Sequence, residues 1–555
     1  MQSLLLRVYR ITMKKLFSVI AVFAILQSTT AQSSQRPKLV VGIVVDQMRY
    51  DYLRKYWDDF ENSGFRKLVQ QGYSFQNAAY NYVPTYTGPG HASIYTGTTP
   101  ARHGIVSNDW HNRFNGKDVY CASDSTVQTV GSSTVEVGKM SPRNMLSTTV
   151  GDELKIATNK RSKVIGVALK DRAAILPAGH IADGAYWFDG ESGNFVSSTF
   201  YMKQLPEWLV KFNAEQKAQK YLESTWNMLL PEDRYDESLA DQNPYESSFK
   251  GKDAPVFPYD LKVLAPLNGG MNMIRTTPFG NSLTLDMAKA AINGENLGKD
   301  QFTDLLCVSF SSPDYIGHKF GTEARELQDC YLRLDRDLAE LIRFAEETAG
   351  KGEVIFFLTA DHGGATVPAY LMDLRAQGGY MDYSPMKDSV NNWLKKTYKA
   401  ENWLLTITNE QLYLNENSIQ AAGNTVEEIE IFLANKLMYY HGIQQVLTGT
   451  QLRREEFTRD IGALIQRGYF PPRSGNVMLA LQPNWMEYSR TGTTHGSPWC
   501  YDTRVPMLWY GWKIQSGSTT TSFSIDDIAP SLSILLDLPF PNATTGKPAC
   551  IPLKN

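Results

Sequence analysis

Five short apolar runs without polar alternation punctuate the chain: Lys38–Val45 (KLVVGIVV), Val164–Leu169, Leu305–Phe310, Val354–Thr359 and Val505–Tyr510. A β-branched run lacking a two-residue period is the mark of a strand buried on both faces, as in a parallel sheet. Helical periodicity falls between the runs, at Gly151–Ala157, Glu323–Glu347 and Ile525–Leu538. Strands alternating with helices predict an α/β sandwich around a largely parallel sheet.

Two stretches depart from this rhythm. Residues from about 198 to 275 are rich in Tyr, Trp, Asn and Pro and show no clean period, which predicts an irregular insertion over the sheet edge or the site. Residues from about 370 to 475 contain strand-like Trp403–Thr408 and Gln411–Leu414. A helix to about Tyr440 follows, opened by the capping box Thr425-x-x-Glu428, so a compact inserted subdomain is expected there.

With 555 residues, 42% of them hydrophobic, the chain can bury a large core. A net charge of −3 with mixed signs gives no footprint for nucleic acid. The N-terminus differs from the rest: Lys14 and Lys15 precede an apolar run from Leu16 to Leu26, and small residues lead to Ala31. This is the layout of a signal peptide over residues 1–31, with translation able to start at Met13. The run is shorter than the roughly twenty residues a spanning helix needs, so a soluble periplasmic or secreted product without a stable membrane anchor is expected. Five cysteines (Cys121, Cys307, Cys330, Cys500, Cys550) permit at most two disulfides, and Cys307, inside an apolar run, reads as a core residue.

In parallel sheets ligands gather beyond the carboxyl ends of the strands. Asp46 follows VVGIVV, Asp314 follows LLCVSF, and Asp361-His362 follows VIFFLT. Asp314 and His318 are four apart, so one helical turn puts both on one face. His495 sits in a small-residue loop, TGTTHGSP. Six carboxylate and imidazole groups match a two-metal hydrolase, and mixed oxygen and nitrogen donors suit zinc, with manganese or iron as alternatives. Thr87, in VPTYTGPGHASIYTG, precedes a predicted helix over His91–Thr96 and is a candidate nucleophile beside a cation, with Thr85 and Ser93 as competitors.

The set Asp46, Thr87 in TYTGPGH, Asp314-x3-His318, Asp361-His362 and His495 resembles the alkaline phosphatase superfamily. Together with GIVSNDW and LKDR it is similar to the PafA-type, phosphate-irrepressible alkaline phosphatases of Bacteroidota, over essentially the whole mature chain. That resemblance implies a three-layer α/β/α sandwich over residues 32–555 with inserted cap segments. It implies two Zn2+ per chain, one on Asp314, His318 and His495, the other on Asp46, Asp361 and His362 and on the Thr87 oxygen. Asn108 would hydrogen-bond a phosphoryl oxygen, and Lys170 and Arg172 would supply positive charge to the others. Their i, i+2 spacing after the VIGVAL run predicts an extended segment with both side chains on one side. His91, His103 and His180 are left as structural histidines.

The implied activity is phosphate monoester hydrolysis through a phosphothreonine, in a monomer acting on small-molecule phosphate monoesters. A phosphodiesterase or nucleotide pyrophosphatase is the alternative on the same scaffold, and would be expected to lack the Lys170/Arg172 pair. A sulfatase would need a C/S-x-P-x-R context, absent around Thr87; a cofactor-independent phosphoglycerate mutase would be cytosolic with a serine nucleophile. A zinc- or phosphate-binding protein without turnover is the non-enzymatic rival.

Overall fold

A computed structural model describes residues 36–554; the leader 1–31 lies outside the described residues. Ten strands form the central sheet: β1 (Leu39–Val45), β2 (Tyr73–Ala79), β3 (Thr129–Val130), β4 (Val164–Ala168), β5 (Gly184–Asp189), β6 (Asn194–Ser198), β7 (Asp304–Phe310), β8 (Val354–Thr359), β9 (Leu508–Gly511) and β10 (Gly517–Ser524). Their spatial order is β10-β2-β9-β8-β1-β7-β4-β5-β6-β3. The middle five, β8-β1-β7-β4-β5, are parallel throughout. Every residue of β1, β4, β7 and β8 is buried, which accounts for the missing alternation in their sequences.

The run at Val505–Tyr510 behaves differently from the other four. Only its end joins the sheet, as β9, and it pairs antiparallel with β8 and β2. Pro506 supplies no N–H for a ladder, so the strand starts after it. The predicted helices lie close to their sequence positions, at Val150–Ala157 and Arg325–Ala349, while Ile525–Leu538 divides into a 3-10 turn, Ile525–Asp527, and a helix, Ile528–Leu535.

Within the stretch from 198 to 275 the chain forms short helices, Glu207–Ala214 and Lys217–Leu222, and a two-stranded pair, Thr225–Trp226 with Tyr259–Asp260. Aromatic packing replaces periodicity here: the Trp226 and Tyr259 rings lie 5.1 Å apart, and Phe249 and Tyr259 both pack on Phe320. Between 383 and 481 a four-stranded sheet, ordered Leu404–Thr408, Gln411–Leu414, Val477–Leu481, Ile443–Thr448, is covered by helices Tyr383–Tyr398 and Val426–Leu437 around a core of its own. The capping box predicted from sequence opens the second helix: Glu428 N–H donates to Thr425 Oγ1 at 3.2 Å, and the Glu428 carboxylate accepts from Thr425 N–H.

All five cysteines are free; Cys121, Cys307 and Cys330 are buried, and Cys500 and Cys550 are exposed. Among the described residues no helix is long and apolar enough to cross a membrane. Thr425→Ala removes one half of the capping box and is expected to cost about 1 kcal/mol, read as a lower chemical-denaturation midpoint with kcat/KM unchanged.

Candidate metal centre and nucleophile

Adjacent parallel strands deliver the carboxylates. Asp46 directly follows β1 and Asp361 follows β8 after one residue; Asp314 lies in α3 (Ser312–Phe320), which begins beyond β7. Since β8, β1 and β7 are neighbours, three acids meet at one end of the sheet. Asp46, Asp314, Asp361 and His362 are all buried. The helical turn in α3 brings His318 Nε2 to 3.1 Å from Asp314 Oδ1, and His495 Nε2 arrives from its loop at 3.6 Å from the same oxygen. Two groups result whose ligand atoms lie within 4.8 Å of one another: Asp46, Asp361 and His362, and Asp314, His362 and His495. His362 and His495 stack at 3.4 Å between ring centres, so the groups touch.

Backbone carbonyls orient all three imidazoles. Nδ1 of His318 bonds Thr493 O at 2.7 Å, Nδ1 of His362 bonds Gly363 O at 2.9 Å, and Nδ1 of His495 bonds Thr85 O at 2.7 Å. A carbonyl can only accept, so each Nδ1 carries a proton; His362 and His495, held neutral by burial, present an Nε2 lone pair, the state a metal ligand needs, while His318 Nε2 faces the Asp314 carboxylate, which raises its basicity.

The buried charge is under-compensated. Asp46 Oδ1, Asp361 Oδ2 and His362 Nε2 are buried without a hydrogen-bond partner. Asp46 Oδ2 lies 2.6 Å from Lys170 Nζ, but outside hydrogen-bond directions, so that contact is ionic; the same ammonium donates to Asp314 Oδ2 at 2.6 Å. Burial, then repulsion from Asp314 and Asp361, pushes the Asp46 carboxyl well above the usual range, and burial raises Asp361 to about 6. Asp314 runs the other way: burial would raise it, yet His318 and Lys170 hold it well below the ordinary value. Burial drives His362 down to about 4 and His495 lower still than its usual range. Bare, converging oxygen and nitrogen donors in a site rich in negative charge fit divalent cations of the zinc type.

Thr87 opens α1 (Thr87–Thr96), a helix buried at all ten positions. The helix starts four residues before the sequence-predicted turns, because Gly88-Pro89-Gly90 falls in its first turn, where proline's missing N–H costs nothing. Gly90 is dictated by close approach: a Cβ there would lie 2.4 Å from the Asp361 carbonyl oxygen. Lys170 Nζ donates to Thr87 Oγ1 at 3.4 Å. The competing hydroxyls are occupied elsewhere, Thr85 donating to Ser497 O at 3.2 Å and Ser93 pairing with His103 Nε2 at 3.0 Å. Asn108 Oδ1 accepts from Gly88 N–H at 2.8 Å, beside Thr87.

The extended segment expected for Lys170 and Arg172 is not what forms. Lys170 is the N-cap of α2 (Asp171–Ala178), and Arg172 sits in the first turn of that helix. Sheet order still places Lys170 beside the carboxylates, because β4 adjoins β7, whereas Arg172 donates to Tyr120 Oη at 3.1 Å. Both ring nitrogens of His91 (to Thr87 O and Ser309 Oγ), His103 (to Ser93 Oγ and Ile105 N–H) and His180 (to Asp152 and Met145 O) are engaged within the protein.

Three participants had no sequence signal of their own. Gln47, at φ 61°, donates from its backbone to Asp361 Oδ1 at 3.2 Å and from Nε2 to Asp314 Oδ1 at 2.9 Å. Tyr120 holds Arg172, and the Tyr315 ring lies 5.1 Å from Lys170 Nζ. Only Gln47, next to a strand-end aspartate, could have been guessed.

Residues 40–502 match the model of the family described as type I phosphodiesterase / nucleotide pyrophosphatase. A Myroides odoratus protein named calcium-transporting ATPase is 43% identical over 95% of this chain and 96% of its own. Alkaline phosphatase PafA of Elizabethkingia meningoseptica is 41% identical over 96% of this chain and 98% of its own. The crystal structure of wild-type PafA superposes with a TM-score of 0.90, covering 93% of this chain and 99% of that one at 41% identity.

In the metal-free chain Asp361 keeps its proton up to about pH 6, so its native-state cost grows as pH rises from about 4 through 6, and Asp46, raised in the same direction by burial and neighbouring carboxylates, adds to that cost. A dication offsets that cost. Zinc is therefore expected to raise the thermal midpoint of the stripped protein more at pH 8 than at pH 5; an equal rise at both would separate these carboxylates from metal binding.

Proposed function

The chain belongs to the type I phosphodiesterase / nucleotide pyrophosphatase family and is a phosphatase of the PafA kind, and from that premise we propose that it is a two-zinc phosphate monoester hydrolase working through a phosphothreonine at Thr87. The observation that carries this reading is the Thr87 hydroxyl, at the first position of a buried helix and 3.4 Å from Lys170 Nζ, whose ammonium also bridges Asp46 and Asp314. Asp314, His318 and His495 would hold one zinc, and Asp46, Asp361 and His362, with the Thr87 oxygen, the other. When bound, the two ions supply positive charge to the entering and leaving oxygens of an in-line displacement.

The protein's own groups do the rest. Thr87 Oγ1 attacks phosphorus opposite the leaving oxygen, and the α1 N-terminus favours negative charge on it. Water then attacks the phosphothreonine from the vacated side, releasing phosphate and restoring Thr87. Asn108, its carbonyl oxygen occupied by Gly88 N–H, has its amide N–H groups left to donate to a phosphoryl oxygen. Lys170 and Arg172 add charge to the other oxygens, with Tyr120 steadying the guanidinium. A monoester dianion carries one more non-bridging charge than a diester, so two cations favour the monoester.

The family's description favours diester cleavage as the second reading, and the Lys170/Arg172 pair argues against it. The Myroides odoratus name suits the first reading too, since the terminal phosphoryl group of ATP is the same transferred unit. The inserted region would sort leaving groups: Thr408–Gln411 of its four-stranded sheet and the separate segment Trp485–Glu487 line a cavity that also takes in His495 and Tyr86, the residue before Thr87, and Tyr86 Oη donates to Glu410 Oε2 at 3.2 Å. We place the mature chain, cleaved after Ala31, in the periplasm or outside the cell as a monomer.

The deciding experiment compares kcat/KM of the zinc-loaded protein on an aryl phosphate monoester and on the matching bis-aryl diester, with a chelator control. Monoester preference by several decades, lost on chelation, is expected; diester preference would move the protein to the second reading. Thr87→Ala should keep zinc but form no phosphoenzyme, and near-native turnover would relocate the nucleophile. Arg172→Ala should lower monoester hydrolysis by about 10²-fold with a much smaller loss on the diester.

A further inference from the structure

Two adjacent residues stand in the left-handed backbone region at one end of the inserted sheet. Its strands Leu404–Thr408 and Gln411–Leu414 are joined by Asn409 and Glu410 alone, at φ 52° and 56°. A two-residue turn of this kind needs positive φ at both positions; asparagine tolerates it at the first, but the second is a site for glycine. A glutamate there is strained, and such strain persists where the surroundings enforce it and the side chain has a function. The neighbouring strand Val477–Leu481 does enforce it, since Leu479 N–H donates to Glu410 O at 2.8 Å.

Both side chains reach out of the insertion. Glu410 Oε2 accepts from Tyr86 Oη at 3.2 Å. Tyr86 is the N-cap of α1, directly before Thr87, and its ring stands edge-on to the His495 imidazole with centres 5.4 Å apart. The ring is closely enclosed: a Cβ on Gly496 would lie 2.8 Å from it. Asn409 Nδ2 donates to Asp109 O at 2.8 Å. Asp109 follows Asn108 and opens a hairpin, Asp109–Asn112 with Lys117–Tyr120, in which it pairs with Tyr120, the partner of Arg172. Asn108 itself accepts from Gly88 N–H on its side chain and from Cys121 N–H on its backbone, both at 2.8 Å. Arg113, at the far end of the hairpin, adds a second tie to the insertion through Glu416 and Ser474 O.

We propose that Asn409 and Glu410 are positioning residues through which the inserted sheet sets the Thr87 hydroxyl and the Asn108 amide at their working separation, an inference that rests on the roles given to Thr87 and Asn108 above. Each acts through the neighbour of a reacting or phosphoryl-binding group, Glu410 through Tyr86 and Asn409 through Asp109. Thr87 and Asn108 lie on different segments, and a single rigid turn bonded to both keeps one from drifting against the other. A misplacement of about 1 Å between such groups can cost as much as about 10²-fold in rate.

The test uses the zinc-loaded mature protein and whichever ester, the aryl monoester or the bis-aryl diester, the wild type turns over faster, so a diester preference would overturn the monoester reading and leave this test intact. Asn409→Gly and Glu410→Gly relax the backbone while each removes one side-chain bond; zinc content and thermal midpoint should stay at wild-type values while kcat/KM falls about tenfold. Glu410→Gln, whose amide oxygen still accepts from Tyr86, should keep most of the activity. Tyr86→Phe breaks the same bond from the other side, so its loss should match that of Glu410→Gly, and the double variant should lose little more. Asn409→Gly should likewise add little to Asn108→Ala. Inorganic phosphate, which has no leaving group, should inhibit Asn409→Gly several-fold more weakly than the wild type. Near-native kcat/KM in both glycine variants, additive losses in both double variants, or a loss in Glu410→Gln as deep as in Glu410→Gly would overturn the proposal. Should a glycine variant fail to fold, Asn409→Asp and Tyr86→Phe carry the same comparisons.

Discussion

Everything at the business end of this molecule follows from placing three aspartates on neighbouring parallel strands, away from water. Asp46, Asp314 and Asp361 are buried where β1, β7 and β8 end. Charges so placed are tolerable only with compensation. Lys170 provides part of it from the next strand along, and its ammonium is drawn onto two of the carboxylates at 2.6 Å. The bare oxygens and the unprotonated Nε2 atoms that remain define where positive charge must come from. The Thr87 hydroxyl is held close by the same lysine, at 3.4 Å.

Much of this was legible in the sequence because a buried parallel strand writes itself as an uninterrupted apolar run, and the chemistry sits at the run's end. Asp46, Asp361-His362 and Asp314 were found that way, and the four-residue interval to His318 was enough to place two donors on one face. The spacing of Lys170 and Arg172 predicts an extended segment with both side chains on one side, but Asp171 begins a helix and Arg172 turns toward Tyr120. Whether a chain continues extended or coils after a strand depends on what it packs against, and the residues themselves do not record that. Gln47 and Tyr120 were missed for a related reason: their importance comes from contacts far along the chain, with Asp361 and Asp314 in one case and Arg172 in the other.

The two stretches outside the α/β rhythm differ in how they hold together. The four-stranded sheet between 383 and 481 has its own core, drawn from helices and strands whose periodicity was visible. The stretch from 198 to 275 instead borrows aromatic rings and carboxylates from α3 and the helix Arg325–Ala349, with Trp226, Phe249 and Tyr259 packed on Phe320 or on one another. No local pattern announces such packing, since half of each contact lies elsewhere in the sequence.

One feature of α1 bears on how such a protein can change over time. All ten of its residues are enclosed, and Gly90 admits no side chain against Asp361. A helix hemmed in on every side has almost no freedom to vary in sequence or to shift, so the hydroxyl it carries is fixed in place like a keystone. Diversification among descendants of this chain is confined to what surrounds the keystone: the segment at Trp485–Glu487 and the loops that reach the mouth of the site. New substrates would be acquired by rebuilding the doorway, with the Thr87 hydroxyl left where it stands.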